Sequence, residues 1–263
     1  LRMFLYPCHS LYPNNQYPDP LSIELGAPSL LLTAKNSFTS FVARNPEDFQ
    51  EIIADFDNVY DTTSNRGTKL DYIQLVGKQS NLYGSKVKEA YESGVCNFEF
   101  SSSDLGFQFE KVTKLISGGL NTRIYLVELG GFDTHDTQVD QSDHTKGAHS
   151  ILMKTLNDAV LTFMQNMDDI GRSDDLLVMT YSEFGRTIVS NGSLGTDHGT
   201  AAPPEFQGWM AGRATAHHLV SRCAPAGHSD LPVCPVLPCL FLTRPYLNPS
   251  YRQAVHCPPP LPF

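Results

Sequence analysis

Thr122-Arg123-Ile124-Tyr125-Leu126-Val127-Glu128-Leu129-Gly130-Gly131-Phe132-Asp133-Thr134-His135 is the stretch that decides the fold. Its first eight residues form a short β-branched, apolar run of the kind a strand buried on both faces shows, and the glycine pair stops it. Just upstream, Leu105–Leu120 puts Phe109, Val112, Leu115 and Ile116 on one helical face, with Gly118-Gly119 near its end. Downstream, a long amphipathic helix is expected over about His144–Ile170, closed by Gly171, and then a second compact apolar strand at Leu176–Tyr181. Helix, strand, helix, strand predicts an α/β fold: a mostly parallel sheet sandwiched by helices.

Farther out, apolar residues recur with helical spacing at Leu70, Ile73, Val76, Leu82, Tyr83, Val87 and Tyr91, predicting a helix over Lys69–Tyr91 behind a polar linker at 61–67. Asn45-Pro46-Glu47 reads as a helix start, with Asn as N-cap and Pro at the first position, for a helix running to about Asp55. Residues 1–45 carry Pro13, Pro18, Pro20 and Pro28 and read as loop, with a short strand near Ser22–Leu25. Beyond Trp209 lie ten of the eighteen prolines and four of the six cysteines, no Lys, and one acidic residue, Asp230. That segment shows no helical or strand period and is expected to be disordered. The chain therefore divides into a folded part, 1–208, and a Pro/Cys-rich tail, 209–263.

Net charge is −9 over 263 residues, which argues against a nucleic-acid binder, since that would present a basic face. No stretch approaches the ~20 apolar residues that span a bilayer. Cys8 and Cys96 are the only cysteines before residue 210, too few for a disulfide framework. The chain opens Leu1-Arg2-Met3 without a signal-peptide pattern and reads as a fragment, or as a translation with an uncertain start.

Both predicted strands end in polar loops, where ligand sites of open α/β sheets gather. After the first, Asp133 and His135 are two residues apart, so in extended backbone a carboxylate and an imidazole converge on one side. Those donors suit zinc or another divalent ion; the alternative is a polar turn with Asp as its turn residue. The second gives Ser182-Glu183-Phe184-Gly185-Arg186, and a third loop, Gly195-Thr196-Asp197-His198-Gly199, repeats the donor types between glycines. Together the three mark Asp133, His135, Glu183, Asp197 and His198 as candidate metal ligands. Arg186 is the candidate to clamp an anionic oxygen, or else to form a salt bridge with a nearby carboxylate. His144 and His149 read as packing or capping histidines, and Ser182 as a hydrogen-bonded loop serine. The tail residues His217, His218, Cys223, His228, Cys234, Cys239 and His256 lack a second pair to match Cys234 and Cys239, so no zinc module is read there.

At these loops, and at Leu11-Tyr12-Pro13-Asn14 and Gly118–Tyr125, the chain over roughly 10–204 resembles a large bacterial family catalogued as a domain of unknown function, the one numbered fifteen-oh-one. Its members often carry a twin-arginine export signal. The resemblance implies a partial alkaline phosphatase/sulfatase-like domain, incomplete because the family's N-terminal strand with its glycine-rich Asp loop is expected upstream of Leu1. Asp133 and His135 match that superfamily's Asp-and-His metal pair, and His198 its late histidine ligand. Glu183 or Ser182 stands where other members place an Asp-His pair. The implied activity is metal-dependent hydrolysis of phosphate or sulfate esters, with an anionic small-molecule or glycan ester as substrate. The implied cofactor is a divalent metal (zinc, calcium, magnesium or manganese), and the implied location is periplasmic or extracellular. The alternative is a non-catalytic exported binding protein, or an inactive fragment, that keeps the fold.

Overall fold

The computed structural model describes residues 19–27, 40–182 and 184–200, and the two strands at 207–209 and 237–243. In chain order the elements are β1 (Ser22–Glu24), β2 (Ser40–Val42), α1 (Asn65–Ser93), α2 (Asp104–Ser117), β3 (Ile124–Val127), α3 (Ala148–Asp169), β4 (Leu176–Tyr181), β5 (Gly185–Arg186), β6 (His198–Gly199), β7 (Gln207–Trp209) and β8 (Leu237–Thr243).

Local chemistry starts and stops the helices. The Ser64 hydroxyl accepts from the Gly67 N–H at the head of α1, and the Ser103 hydroxyl does the same for Gly106 in α2. At the end of α3, Gly171 takes φ +68°, and Arg172 N–H reaches back to the Met167 carbonyl while Gly171 N–H reaches Asp168. That is the glycine-terminated close a left-handed residue permits. The start of α3 falls four residues later than expected. Asp140 and Asp143 side chains accept from backbone N–H groups of Ser142, Asp143 and Thr145, and these local turns compete with helix.

The helix expected over 45–55 is absent. Only a 3-10 turn forms at Pro46–Asp48, and the Asn45 side chain bonds Asp48 instead of capping. Ile52 and Ile53 are exposed, so no apolar face would sustain a helix there. The segment runs along α1, with Ile52 N–H and carbonyl held by the Asn81 amide. α1 keeps Tyr83 and Val87 of the predicted stripe buried but departs from it elsewhere. Ile73 and Leu82 face out, while Gly77 and Gly84 are buried. A Cβ on Gly84 would sit 2.0 Å from the Phe49 ring, so that glycine is the socket for an aromatic side chain.

The six-stranded sheet has the order β2-β1-β3-β8-β4-β7. β1 pairs parallel with β2 and β3; β8 runs antiparallel between β3 and β4, and β7 antiparallel on β4. β3 and β4 therefore point the same way without touching. The sheet is thus α/β and parallel in its first strands, but mixed as a whole. β8 lies in the segment read as lacking strands. Its apolar run was masked by flanking prolines, and the ladder skips Pro238, which cannot donate a hydrogen bond. The three described helices share one continuous core with Ile23, Tyr125, Val127 and Val178. Ile124 and Leu126 are also buried but lie outside that core, which is why β3 shows no alternation.

At the centre of this core Phe109 is fully buried, 5.1 Å from the Phe163 ring and 6.3 Å from Phe100. Phe109→Ala is expected to lower unfolding free energy by about 3–5 kcal/mol. Urea denaturation checks it, and a loss below about 1 kcal/mol would mean that α2 and α3 do not pack as described.

Candidate metal centre

Because β3 and β4 share a direction, the loops after them open on one edge of the sheet. The third loop is brought there by the short antiparallel ladder of β5 and β6, which sets Arg186 opposite His198. Directly opposed residues of such a ladder present side chains on the same face. Both side chains reach one atom. Asp133 Oδ1 lies 2.8 Å from Arg186 Nη1, 2.7 Å from His198 Nε2 and 3.1 Å from His135 Nδ1. Asp133 and His135 converge as their spacing predicts.

Thr134, between them, is buried, like Thr196 and Gln138. Arg186, only 1 % exposed, donates through Nε to Thr196 Oγ1 (2.9 Å) and through Nη2 to the Thr196 carbonyl (2.6 Å) and Thr134 Oγ1 (3.4 Å). Both threonine hydroxyls in turn donate to Gln138 Oε1, at 2.7 and 2.9 Å. Arg186 is thus paired with a carboxylate and faces inward, not outward to a ligand.

Phe184 stacks on the His198 ring at 4.2 Å and 19°. Asn191 ties the loops from outside: its amide donates to the His135 carbonyl (2.7 Å) and to Asp197 Oδ1 (3.1 Å), and its oxygen accepts from Ser193 and Gly195 N–H. Asp197 therefore spends its carboxylate on Asn191 and stands outside the group formed by Asp133, His135 and His198. Glu183 lies outside the described residues. The Ser182 hydroxyl donates to the Phe184 carbonyl, as a loop serine does. His149, in the first turn of α3, packs edge-on against Phe132 at 5.8 Å.

The ligand atoms of Asp133, His135 and His198 all lie within 4.8 Å of one another, and the three side chains are about half exposed. One carboxylate and two imidazoles are a donor set for a divalent ion with an open position. Ligands on one tetrahedral zinc stand about 3.3 Å apart, so the side chains need open only slightly to admit an ion. The His198 hydrogen bond is the largest influence on the Asp133 carboxyl and lowers its pKa; desolvation, next in size, opposes it, and the Arg186 hydrogen bond and the two histidines add to the lowering, so the net direction is down. The triad could hold a metal ion.

Thr134 and Thr196 sit inside the motifs that the sequence singles out, Thr134 between Asp133 and His135 and Thr196 just before Asp197-His198, and that place was the available clue to them. Gln138, Asn191 and Phe184 as a ring support had none, because only the folded loops bring them in.

Fold and site together define an α/β protein carrying an exposed carboxylate–imidazole cluster at the strand ends. Residues 13–217 match the family described as protein of unknown function, DUF1501, and the chain belongs to that family. No curated protein and no solved structure matches it. Among the described residues no helix is long and apolar enough to cross a membrane.

Two outcomes follow from this geometry. A Cβ on Gly195 would stand 2.2 Å from the His135 carbonyl oxygen. Gly195→Ala should therefore destabilise the fold by about 1–3 kcal/mol and separate His135 from His198, read by denaturation and by imidazole NMR; unchanged spectra would contradict the loop contact. Burial, aided by the Arg186 charge, holds the His149 pKa below its ordinary value. The folded state then binds fewer protons than the unfolded chain, so this group's contribution falls as pH drops through about 6.5. His149→Gln should flatten the loss of stability between about pH 7 and 5; an unchanged slope would contradict this assignment.

Proposed function

We propose that the chain is a metal-dependent hydrolase domain acting on phosphate or sulfate esters, of the alkaline phosphatase/sulfatase-like type, exported to the periplasm or cell exterior. The observation that carries the reading is the convergence of Asp133, His135 and His198 at the strand-end edge of an α/β sheet. Membership of the family supports it through the superfamily to which its motifs are similar. The chemistry is an inference from that likeness and from the donor set, since one fold serves many activities.

Asp133, His135 and His198 would hold the ion, and of the ions the resemblance allows zinc fits the nitrogen-rich donors best. When bound, a divalent ion supplies positive charge where negative charge develops on the transferring group and lowers the pKa of a nearby water or hydroxyl. The chain's own groups prepare the place. Phe184 fixes the plane of the His198 ring, Asn191 holds the His135 backbone, and the half-exposed cluster leaves an anionic ester free to approach.

A second reading, an exported binding protein that keeps the ion without turnover, is favoured by two contacts. Arg186 is committed internally, and the Ser182 hydroxyl is bonded to the Phe184 carbonyl.

Purified protein should bind about one zinc per chain at this three-donor site, and replacing the half-exposed His135 and His198 together by Ala should abolish that binding while leaving the circular dichroism spectrum intact. Aryl phosphate and aryl sulfate assays then separate the readings: metal-dependent turnover supports the hydrolase, stoichiometric metal without turnover the binding protein. No metal uptake at all contradicts both.

A further inference from the structure

We infer that Arg186 is a positioning residue for Asp133, kept in place by Gln138 through Thr134 and Thr196, and does not itself clamp an anion. This deepens the metal-centre reading and rests on it for its first test.

A guanidinium only donates hydrogen bonds. Thr134 Oγ1 and Thr196 Oγ1 must therefore accept from Arg186, which leaves each hydroxyl its single hydrogen to give to Gln138 Oε1. The amide oxygen of Gln138, a residue itself only 3 % exposed, fixes the direction of both hydroxyls at once. With the Thr196 carbonyl on Nη2, the guanidinium plane is set on three sides, and Nη1 is aimed at Asp133 Oδ1. Asp133 is half exposed on a glycine-rich loop and would otherwise sample several rotamers. Holding Oδ1 beside both imidazole nitrogens is what this closed network accomplishes. An anion in the open part of the site meets no accessible Arg186 donor, because the side chain is 1 % exposed. Binding of an anionic group there would have to follow binding of the ion.

The test uses the full chain and its variants, with Zn2+ as the probe. Arg186→Lys should weaken zinc binding by about 10- to 100-fold and Gln138→Met by about tenfold, the range seen when groups orienting a metal ligand are lost. Gln138→Glu keeps the acceptor oxygens and should bind zinc at least as well as wild type. A second measurement needs no metal. In the zinc-free wild type, the Arg186 Nε–H NMR signal should exchange slowly with water, stay unmoved by inorganic phosphate, and shift in Gln138→Met. Wild-type zinc affinity in both Arg186→Lys and Gln138→Met, or a fast-exchanging Nε–H that shifts with phosphate, overturns the inference. If wild type binds no zinc, the metal-centre reading fails, and the positioning role is then decided by the NMR result.

Discussion

A positive charge taken out of water, the guanidinium of Arg186, is the constraint around which the loop end of the molecule is organised. Burying a cation is unfavourable unless it is paired and its donors are met. Here the pairing carboxylate comes from the loop after β3, and two acceptors come from Thr196, just before β6. Arg186 itself lies in β5, so one side chain forces three separated stretches of chain to a common point. Where two of these stretches touch, Thr137 and Leu194 adopt positive φ (46° and 59°), and their neighbouring backbone groups bond across the gap. Such conformations cost about 1–3 kcal/mol each and persist only where the surroundings over-determine them.

The sheet makes the meeting possible by its directions, not by adjacency. β3 and β4 are separated by β8, yet both deliver their carboxyl ends to one edge. The helices contribute rigidity from a distance. Phe132, the residue before Asp133, is buried in the core and touches His149 on α3, so the ligand loop is anchored to the helix layer by its own aromatic neighbour. The carboxylate–imidazole cluster that could hold a metal is thus an exposed feature on a buried support, which suits a site that must be reached by a ligand yet hold its geometry.

Much of this was legible in the sequence where one physical signal dominated. The four-residue apolar run of β3, the face of α2 and the stretch Leu176–Tyr181 were read from burial alone, and burial is what the structure shows for β3 and α2. Asp133 and His135 were legible because alternation along extended backbone is a local rule. Reading failed where the deciding partner was distant. The Asn45-Pro46 start has sound capping chemistry, but its backbone is held by Asn81 instead of continuing as helix. α1 hid part of its buried stripe in two glycines, Gly84 and Gly77, that receive Phe49 and Phe56. Arg186 could be read as a clamp or as an ion-pair partner, and only its burial decides which way it faces. Gln138 carried no local mark, since its role exists only once both threonines are in place.

The most direct measurement is anomalous diffraction at the zinc edge from crystals soaked in Zn2+. The account predicts one strong peak within about 2.2 Å of a carboxylate oxygen of Asp133, Nδ1 of His135 and Nε2 of His198, with the Arg186 guanidinium still buried behind it on Thr134 and Thr196. A zinc peak held by other residues, or an Arg186 side chain turned out to solvent, would contradict it.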